Sequence, residues 1–159
     1  MAIGKFQKNK HPLEEELIYI RNQATHNNSI IYYDGIACDP YQAYDDFLLC
    51  KELWGKTTGI QSYHIIVSLE ANELVSNNLP VAMFQNIANV IHYFSRSQIA
   101  YAIHANTEQL HAHYIVNSVS YIDGHKHDFR WNDIRTLYKS ISNILVTNGY
   151  QPIRTDYQK

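Results

Sequence analysis

Two stretches of alternating residues, Ile99–His104 and His111–Tyr121, are separated by only a short segment. Side chains alternate between the two faces of a strand, so the large side chains of the first stretch point one way and His104 points the other. A connection this short favours antiparallel pairing. His111 and His113 are two residues apart, so they leave the same face with Cα atoms roughly 6.5 Å apart. The pattern predicts a hairpin that places His104 beside this histidine pair.

Three imidazoles on one face of a hairpin can share one metal ion. Three protein ligands leave positions for water or substrate, which is typical of catalytic rather than structural centres. We therefore interpret His104, His111 and His113 as the ligands of a divalent metal. Imidazoles suit Mn, Co, Ni or Zn, and Mg can serve where a substrate phosphate completes its shell. The alternative is that three of the nine histidines fall close together by chance.

The composition is typical of one folded domain, because 45% of the 159 residues are hydrophobic and a chain of this length can bury a full core. We expect no signal peptide and no membrane insertion, since no apolar run is long enough. Cys38 and Cys50 form no disulfide or metal pattern, which favours a reducing, cytoplasmic setting. The net charge of −2 is not typical of a protein that holds nucleic acid by bulk electrostatics.

Helical and strand patterns alternate along the chain. Pro12 opens a first helix whose buried face is Leu13, Leu17 and Ile20, and a polar loop follows at Asn22–Ser29. We expect an α+β fold, an antiparallel sheet with flanking helices, with helices on one side and an open site on the other. The predicted strands are 2–7, Ile30–Cys38, Gln61–Glu70, Ile99–His104 and His111–Tyr121, and the later helices are 40–54, Pro80–Ser95 and Trp131–Asn148.

Further polar residues share the histidine face of the predicted sheet or follow it. His64 and Ser68 lie on this face in the Gln61–Glu70 pattern, and Asn117 follows His113 on the last strand. Ordinary polar residues on a half-exposed face would give the same pattern. Lys126 and Arg130 belong to a basic segment that could follow a phosphate backbone, although solvated loops have the same composition.

Taken together, several segments resemble the relaxase domain of plasmid mobilisation proteins of the MobP class, which includes the Ti-plasmid border endonuclease. The resemblance covers nearly the whole chain, in order. The specific part of the resemblance is the His-x6-His-x-His pattern with the asparagine that follows. The Tyr-Ile pair is a weak match by itself and supports the resemblance only because it lies at the expected position in the chain. The matching segments are Tyr19-Ile20, Tyr63–Leu69, His104–Thr107, His111–Asn117 and Asp123–Lys126.

The resemblance implies a HUH endonuclease, named for its His-hydrophobe-His pair, with a sheet related to ferredoxin-like folds. Such domains nick one DNA strand at an origin of transfer and stay attached to its 5′ end through a phosphotyrosine. By position, Tyr19 is implied as the nucleophile, His64 and Ser68 as contacts near the nick, and Glu73 as an acidic position after that strand. Asn106 stands where aspartate is common, so carboxylate support for the metal ligands is missing there.

We therefore predict a metal-dependent, single-strand-specific DNA nickase and transesterase that acts in conjugative mobilisation in the bacterial cytoplasm. A bound ion supplies charge stabilisation, and a phenolate that both attacks and leaves makes the step reversible. The implied partners are single-stranded or hairpin DNA at an origin of transfer, accessory relaxosome proteins and a coupling protein. Residues 1–159 are expected to form one relaxase domain, either a minimal protein or the N-terminal part of a longer one.

Other interpretations stay open. Tyr19 lies roughly 100° from the buried face of its helix by helical-wheel arithmetic, so it could be an ordinary boundary residue among the 13 tyrosines. A rolling-circle replication initiator shares the histidines but usually has its tyrosine after them, where Tyr138 and Tyr150 stand. A non-catalytic metal- or DNA-binding module is the third interpretation. The remaining candidate tyrosines are Tyr32, Tyr33 and Tyr63.

Overall fold

The computed structural model describes residues 2–9, 12–27, 30–70, 80–105 and 109–155. In this part of the chain, four α-helices flank one six-stranded sheet. The strands are β1 Ala2–Asn9, β2 Ile30–Ile36, β3 Ser62–Leu69, β4 Ile99–His104, β5 Leu110–Asn117 and β6 Ile153–Thr155. The helices are α1 Leu13–Asn27, α2 Ala43–Leu53, α3 Val81–Ser95 and α4 Trp131–Thr147, and a 3-10 turn at Pro40–Gln42 precedes α2.

The sheet has the strand order β2-β4-β5-β3-β1-β6. Neighbouring strands are antiparallel except β1 and β6, which pair in parallel. Strands β4 and β5 form the predicted hairpin, in which His104 lies directly opposite His111 and Ala102 opposite His113. The predicted α+β fold with flanking helices is confirmed.

Two hydrophobic cores lie on opposite faces of the sheet. The larger core joins α3 and α4 to the alternating large residues of β3, β4 and β5, such as Ile65, Tyr101 and Tyr114. The smaller core packs Leu13, Leu17 and Ile20 of α1 and Phe47 of α2 against Ala100, Ala102 and Ile115. We call this second face of the sheet the α1/α2 face.

The expectation of helices on one side only is therefore wrong. The small side chains of Ala100 and Ala102 leave space on the α1/α2 face, and the large side chains of α1 and α2 fill it. Burial of those apolar side chains stabilises the docked helices, each fully buried one by about 1.5–3 kcal/mol. Part of the face beside the histidines stays open as a groove.

Several element bounds, and one strand, differ from the sequence prediction. Helix α1 continues to Asn27, where a polar loop was expected, and β5 ends at Asn117 rather than at Tyr121. The parallel strand β6 was not predicted, and its close pairing with β1 depends on Gly4, since a Cβ there would lie 2.8 Å from a methyl of Ile153. In the described parts of the chain, no helix is long and apolar enough to cross a bilayer.

Candidate metal centre and its neighbouring tyrosine

The three predicted metal ligands meet at one end of the β4–β5 hairpin. His104, His111 and His113 each offer one nitrogen, and these atoms all lie within 4.8 Å of one another. Cross-strand pairing sets His104 opposite His111, and the alternation of β5 brings His113 to the same face. We call these three residues the histidine cluster. Their nitrogens are close enough to converge on a single ion.

Hydrogen bonds orient the rings of the histidine cluster. Nε2 of His104 lies 3.0 Å from the Ile20 carbonyl oxygen, and Nδ1 of His111 lies 3.1 Å from the Gln109 carbonyl oxygen. A carbonyl only accepts, so these nitrogens donate, and in the neutral rings the opposite nitrogens are the ones that could bind an ion. Nδ1 of His113 lies 2.8 Å from Nε2 of His64, while its buried Nε2 has no hydrogen-bond partner. This orphaned buried nitrogen fits a metal ligand, because buried polar atoms otherwise find partners.

Burial favours the neutral ring at two residues of the histidine cluster, His104 and His113. Burial lowers the pKa of His113 to about 2, and the neighbouring His64, His104 and His111 rings add to the effect. Burial, with a smaller contribution from His111, lowers the pKa of His104 to about 4. Neutral imidazole is the form that binds metal, so both residues are ready to act as ligands at physiological pH. The donor set fits a divalent transition metal.

Tyr19 lies beside the histidine cluster. The apolar stripe of α1 docks on the sheet and leaves Tyr19 at the edge of the helix, 51% exposed. Its ring centroid lies 6.3 Å from that of His113, and the two planes meet at 83°. The two residues line a groove of about 400 Å³ together with His64 and Glu15. A phosphate in this groove would meet Tyr19 and, of the histidine cluster, His113.

A buried carboxylate, Glu16 of α1, lies behind His64. Ser62 donates a hydrogen bond to Glu16 Oε2, and Oε1 lies 3.3 Å from Nδ1 of His64. Glu16 was not among the residues that the sequence pattern predicted at the site. The available signal was its position, since Glu16 lies three residues after Leu13 and four before Ile20, on the buried stripe of the helix.

The structure brings together some of the other predicted site residues. Ser68 lies on β3 directly opposite His111, and His64 contacts His113. Glu73 and Asn106 lie outside the described residues. Asn117 does not reach the histidine cluster, since it is buried near the other end of β5, where Lys51 of α2 donates to it.

Lys126 and Arg130 make their contacts with residues outside the histidine cluster. Lys126 Nζ donates to the Thr58 carbonyl, and Arg130 is an exposed residue at the start of α4, 3.8 Å from Asp128.

The competing tyrosines have other partners or positions. Tyr138 and Tyr150 are buried in the core with α3 and α4, on the opposite face of the sheet from Tyr19, and Tyr63 belongs to the same core. The Tyr32 hydroxyl donates to Asp34, and the Tyr33 hydroxyl donates to the Pro40 carbonyl. The geometry thus favours Tyr19 over its competitors as the residue facing a substrate at the histidine cluster.

Comparison with known proteins points to one family. The family model for relaxases, described as "MobA/VirD2-like, nuclease domain", matches residues 19–150. Two Staphylococcus aureus relatives, both named "Protein rlx", are 25% identical over 115 residues and 27% identical over 118 residues. These matches cover 70% and 72% of this chain and 33% and 36% of the relatives. The chain therefore spans about a third of the length of these curated relatives.

A solved structure has the same fold. It is described as "Molecular Basis of Vancomycin Resistance Transfer in Staphylococcus aureus" and superposes with a TM-score of 0.58. The superposition covers 99% of both chains at 14% sequence identity. A likeness at this identity concerns the arrangement of helices and strands.

Proposed function

The chain belongs to the MobA/VirD2-like family of relaxase nuclease domains, and we propose that it nicks one strand of DNA at an origin of transfer, with Tyr19 as the nucleophile. The observation that carries the proposal is the contact between the half-exposed Tyr19 ring and His113 of the histidine cluster. It places an accessible hydroxyl-bearing side chain beside three converging imidazole nitrogens. That pair of features is what metal-assisted phosphodiester transesterification requires.

In the proposed reaction, His104, His111 and His113 would hold a divalent ion, which would supply positive charge to stabilise the non-bridging oxygens of the scissile phosphate. The Tyr19 oxygen forms a bond to phosphorus as the bond from phosphorus to the 3′ oxygen breaks. The phenol proton passes to solvent, and the departing 3′ oxygen takes up a proton to become a free hydroxyl. The phenolate is itself a good leaving group, so a 3′ hydroxyl can reverse the step and reseal the strand.

The proposed substrate is single-stranded or hairpin DNA, held by contacts to bases as well as to phosphates. The net charge of −2 gives little bulk attraction for duplex DNA. Base contacts in a groove therefore have to carry much of the affinity. We further propose that the reaction serves conjugative mobilisation in the bacterial cytoplasm, with accessory relaxosome proteins and a coupling protein as partners. The ion is Mn, Mg or another divalent metal.

The test is a cleavage assay on labelled single-stranded oligonucleotides that tile the origin region of the mobile element encoding the chain. With Mn²⁺ present, the wild-type chain should give a nicked product and a covalent adduct, which mass spectrometry assigns to the peptide that contains Tyr19. The Tyr19→Phe variant removes only the hydroxyl and should lose at least about a thousandfold in cleavage rate while DNA affinity is kept. The matched control is Tyr93→Phe, an 88% exposed tyrosine on α3, on the opposite side of the sheet.

Each alternative has its own outcome in this assay. An adduct on Tyr138 or Tyr150 would favour a replication initiator, and an active Tyr19→Phe variant would refute the assignment of the nucleophile. DNA binding with no adduct under any metal would favour a non-catalytic binding module.

A further inference from the structure

A chain of buried polar groups leads from α1 to the metal ligand His113. Ser62 donates to one oxygen of Glu16, and the other oxygen lies 3.3 Å from Nδ1 of His64. Nε2 of His64 lies 2.8 Å from Nδ1 of His113. All four residues are buried, with Glu16 8% exposed and His113 5% exposed. A carboxylate removed from water to this extent is costly unless its neighbours compensate it, so its place beside His64 requires a reason.

The positions of the hydrogens in this row of polar groups follow from the carboxylate at one end of the row. Glu16 Oε1 makes no hydrogen bond among the described residues, but its negative charge 3.3 Å from Nδ1 of His64 favours a proton on that nitrogen. A neutral His64 then has an unprotonated Nε2, which accepts the hydrogen from Nδ1 of His113. A neutral His113 with its proton on Nδ1 has an unprotonated Nε2, the buried atom that has no hydrogen-bond partner.

The opposite arrangement would spoil the metal ligand. If His64 carried its proton on Nε2, Nδ1 of His113 would have to accept, and the proton of a neutral His113 would move to Nε2. That protonated nitrogen cannot bind an ion. The negative charge of Glu16 disfavours this arrangement, because Glu16 would then face a second acceptor with no hydrogen between them.

We infer that Glu16 and His64 are positioning residues that hold His113 with Nε2 unprotonated and directed to the ion, an inference that rests on the metal centre of the proposed function. The carboxylate support that the sequence lacks at Asn106 comes from α1 instead. Glu16 is also three residues before Tyr19, one helical turn away. The same helix therefore carries the nucleophile and the residue that orients a metal ligand, so any shift of α1 moves both together.

The first test measures metal affinity in the absence of DNA, so that it does not depend on cleavage. The whole apoprotein is titrated with Co²⁺, and binding is monitored by calorimetry and by the visible spectrum of the ion. Glu16→Leu and His64→Leu should each weaken Co²⁺ binding about ten- to hundredfold, the usual cost of removing a partner behind a metal ligand. His64→Gln retains an amide oxygen that can accept from Nδ1 of His113, so it should recover most of the affinity. Glu14→Gln, an exposed carboxylate on the same helical turn, is the matched charge control and should bind as the wild type does.

The outcomes separate this inference from the proposed function. A wild-type chain that binds Co²⁺ while folded Glu16→Leu and His64→Leu variants bind it within twofold would overturn the inference alone. Absence of Co²⁺, Mn²⁺, Ni²⁺ and Zn²⁺ binding by the wild type would overturn the metal centre itself and the inference with it. If Glu16→Leu does not fold, the comparison of His64→Leu with His64→Gln decides the question.

A second readout observes the tautomer directly in the apoprotein. Long-range ¹H–¹⁵N spectra should show the wild-type His113 ring protonated at Nδ1 alone. In His64→Leu, the ring loses its acceptor and should populate both tautomers. A purely structural role for His64 would leave the tautomer unchanged, and that result would overturn the inference.

Discussion

The α1/α2 face of the sheet carries two buried polar clusters, and they satisfy their polar atoms in opposite ways. The histidine cluster leaves Nε2 of His113 without a partner. The second cluster, which we call the asparagine cluster, consists of Asn117, Lys51 and Gln98. There, Asn117 accepts from Lys51 and donates both of its amide hydrogens, one to Gln98 and one to the Phe47 carbonyl 3.2 Å away.

The difference distinguishes a site that binds from a site that holds the fold together. Both clusters use polar residues on β5, and both pack against α1 or α2. Buried polar atoms in a structural cluster are paired inside the chain, whereas a ligand atom stays open for its ion. Asn117 matched a family position in the sequence, yet its amide oxygen and both amide hydrogens form hydrogen bonds within the protein itself. The comparison therefore fits a stabilising role for the asparagine cluster and the metal-binding role that we propose for the histidine cluster.

The largest expected effect is at the histidine cluster. His111→Ala should remove Mn²⁺ or Co²⁺ binding and lower the nicking rate by at least about a thousandfold. The melting temperature of the metal-free protein should change little, because His111 is only half-buried. Calorimetric metal titration and a thermal scan in chelator measure the two effects. The exposed His125→Ala is the matched control, and strong metal binding by His111→Ala would remove the binding role from this cluster.

The converse change is expected at the asparagine cluster. Asn117→Ala leaves Lys51, Gln98 and a backbone carbonyl without a buried partner. It should therefore lower the free energy of unfolding by about 3 kcal/mol, as measured by urea denaturation. Metal affinity of the folded fraction should stay within twofold of wild type. A parallel loss of metal affinity would show that the two clusters act as one unit and would end the distinction drawn above.

A smaller, pH-dependent effect is expected from Lys51. Burial lowers its pKa from 10.5 to about 8, and nearby Lys126 adds to the shift. Between these values the unfolded chain binds more protons than the folded one, so this residue makes the free energy of unfolding rise with pH in that window. Relative to Lys51→Met, the wild type should gain roughly 2 kcal/mol from pH 7.5 to pH 9.5. The tyrosines and cysteines titrate in both proteins, so the comparison with Lys51→Met cancels their contributions to the pH dependence. Parallel curves of unfolding free energy against pH for the two proteins would contradict the prediction.

The smallest effect concerns the basic residues that follow β5. If DNA reaches beyond the histidine cluster, Lys126→Gln and Arg130→Gln should each weaken oligonucleotide binding a few-fold. Each should also lower the slope of log affinity against log salt by about one. Fluorescence anisotropy at several salt concentrations measures both quantities, and Lys139→Gln on α4 is a matched charge control. An unchanged slope in either variant would show that its side chain makes no phosphate contact.

Much of the histidine cluster could be predicted because its geometry is local. Alternation places His111 and His113 on one face, and a short connection leaves β4 few registers in which His104 can join them. The contacts of Ser62 with Glu16 and of His64 with His113 were not predictable in the same way. Ser62 and Glu16 are separated by 46 positions, and His64 and His113 by 49. No local pattern links residues at such separations.

The sequence by itself determined the alternating strands, the hairpin with its three histidines and the position of Tyr19 on a helix. These features depend on backbone periodicity and short connections, which act between residues that are near in the chain. The tertiary structure decided that α1 and α2 cover the face beside the site, that Glu16 contacts His64 behind His113 and that Asn117 belongs to a structural cluster with Lys51. Those outcomes depend on how large side chains fill the space above Ala100 and Ala102, and that shape exists only once the strands have paired.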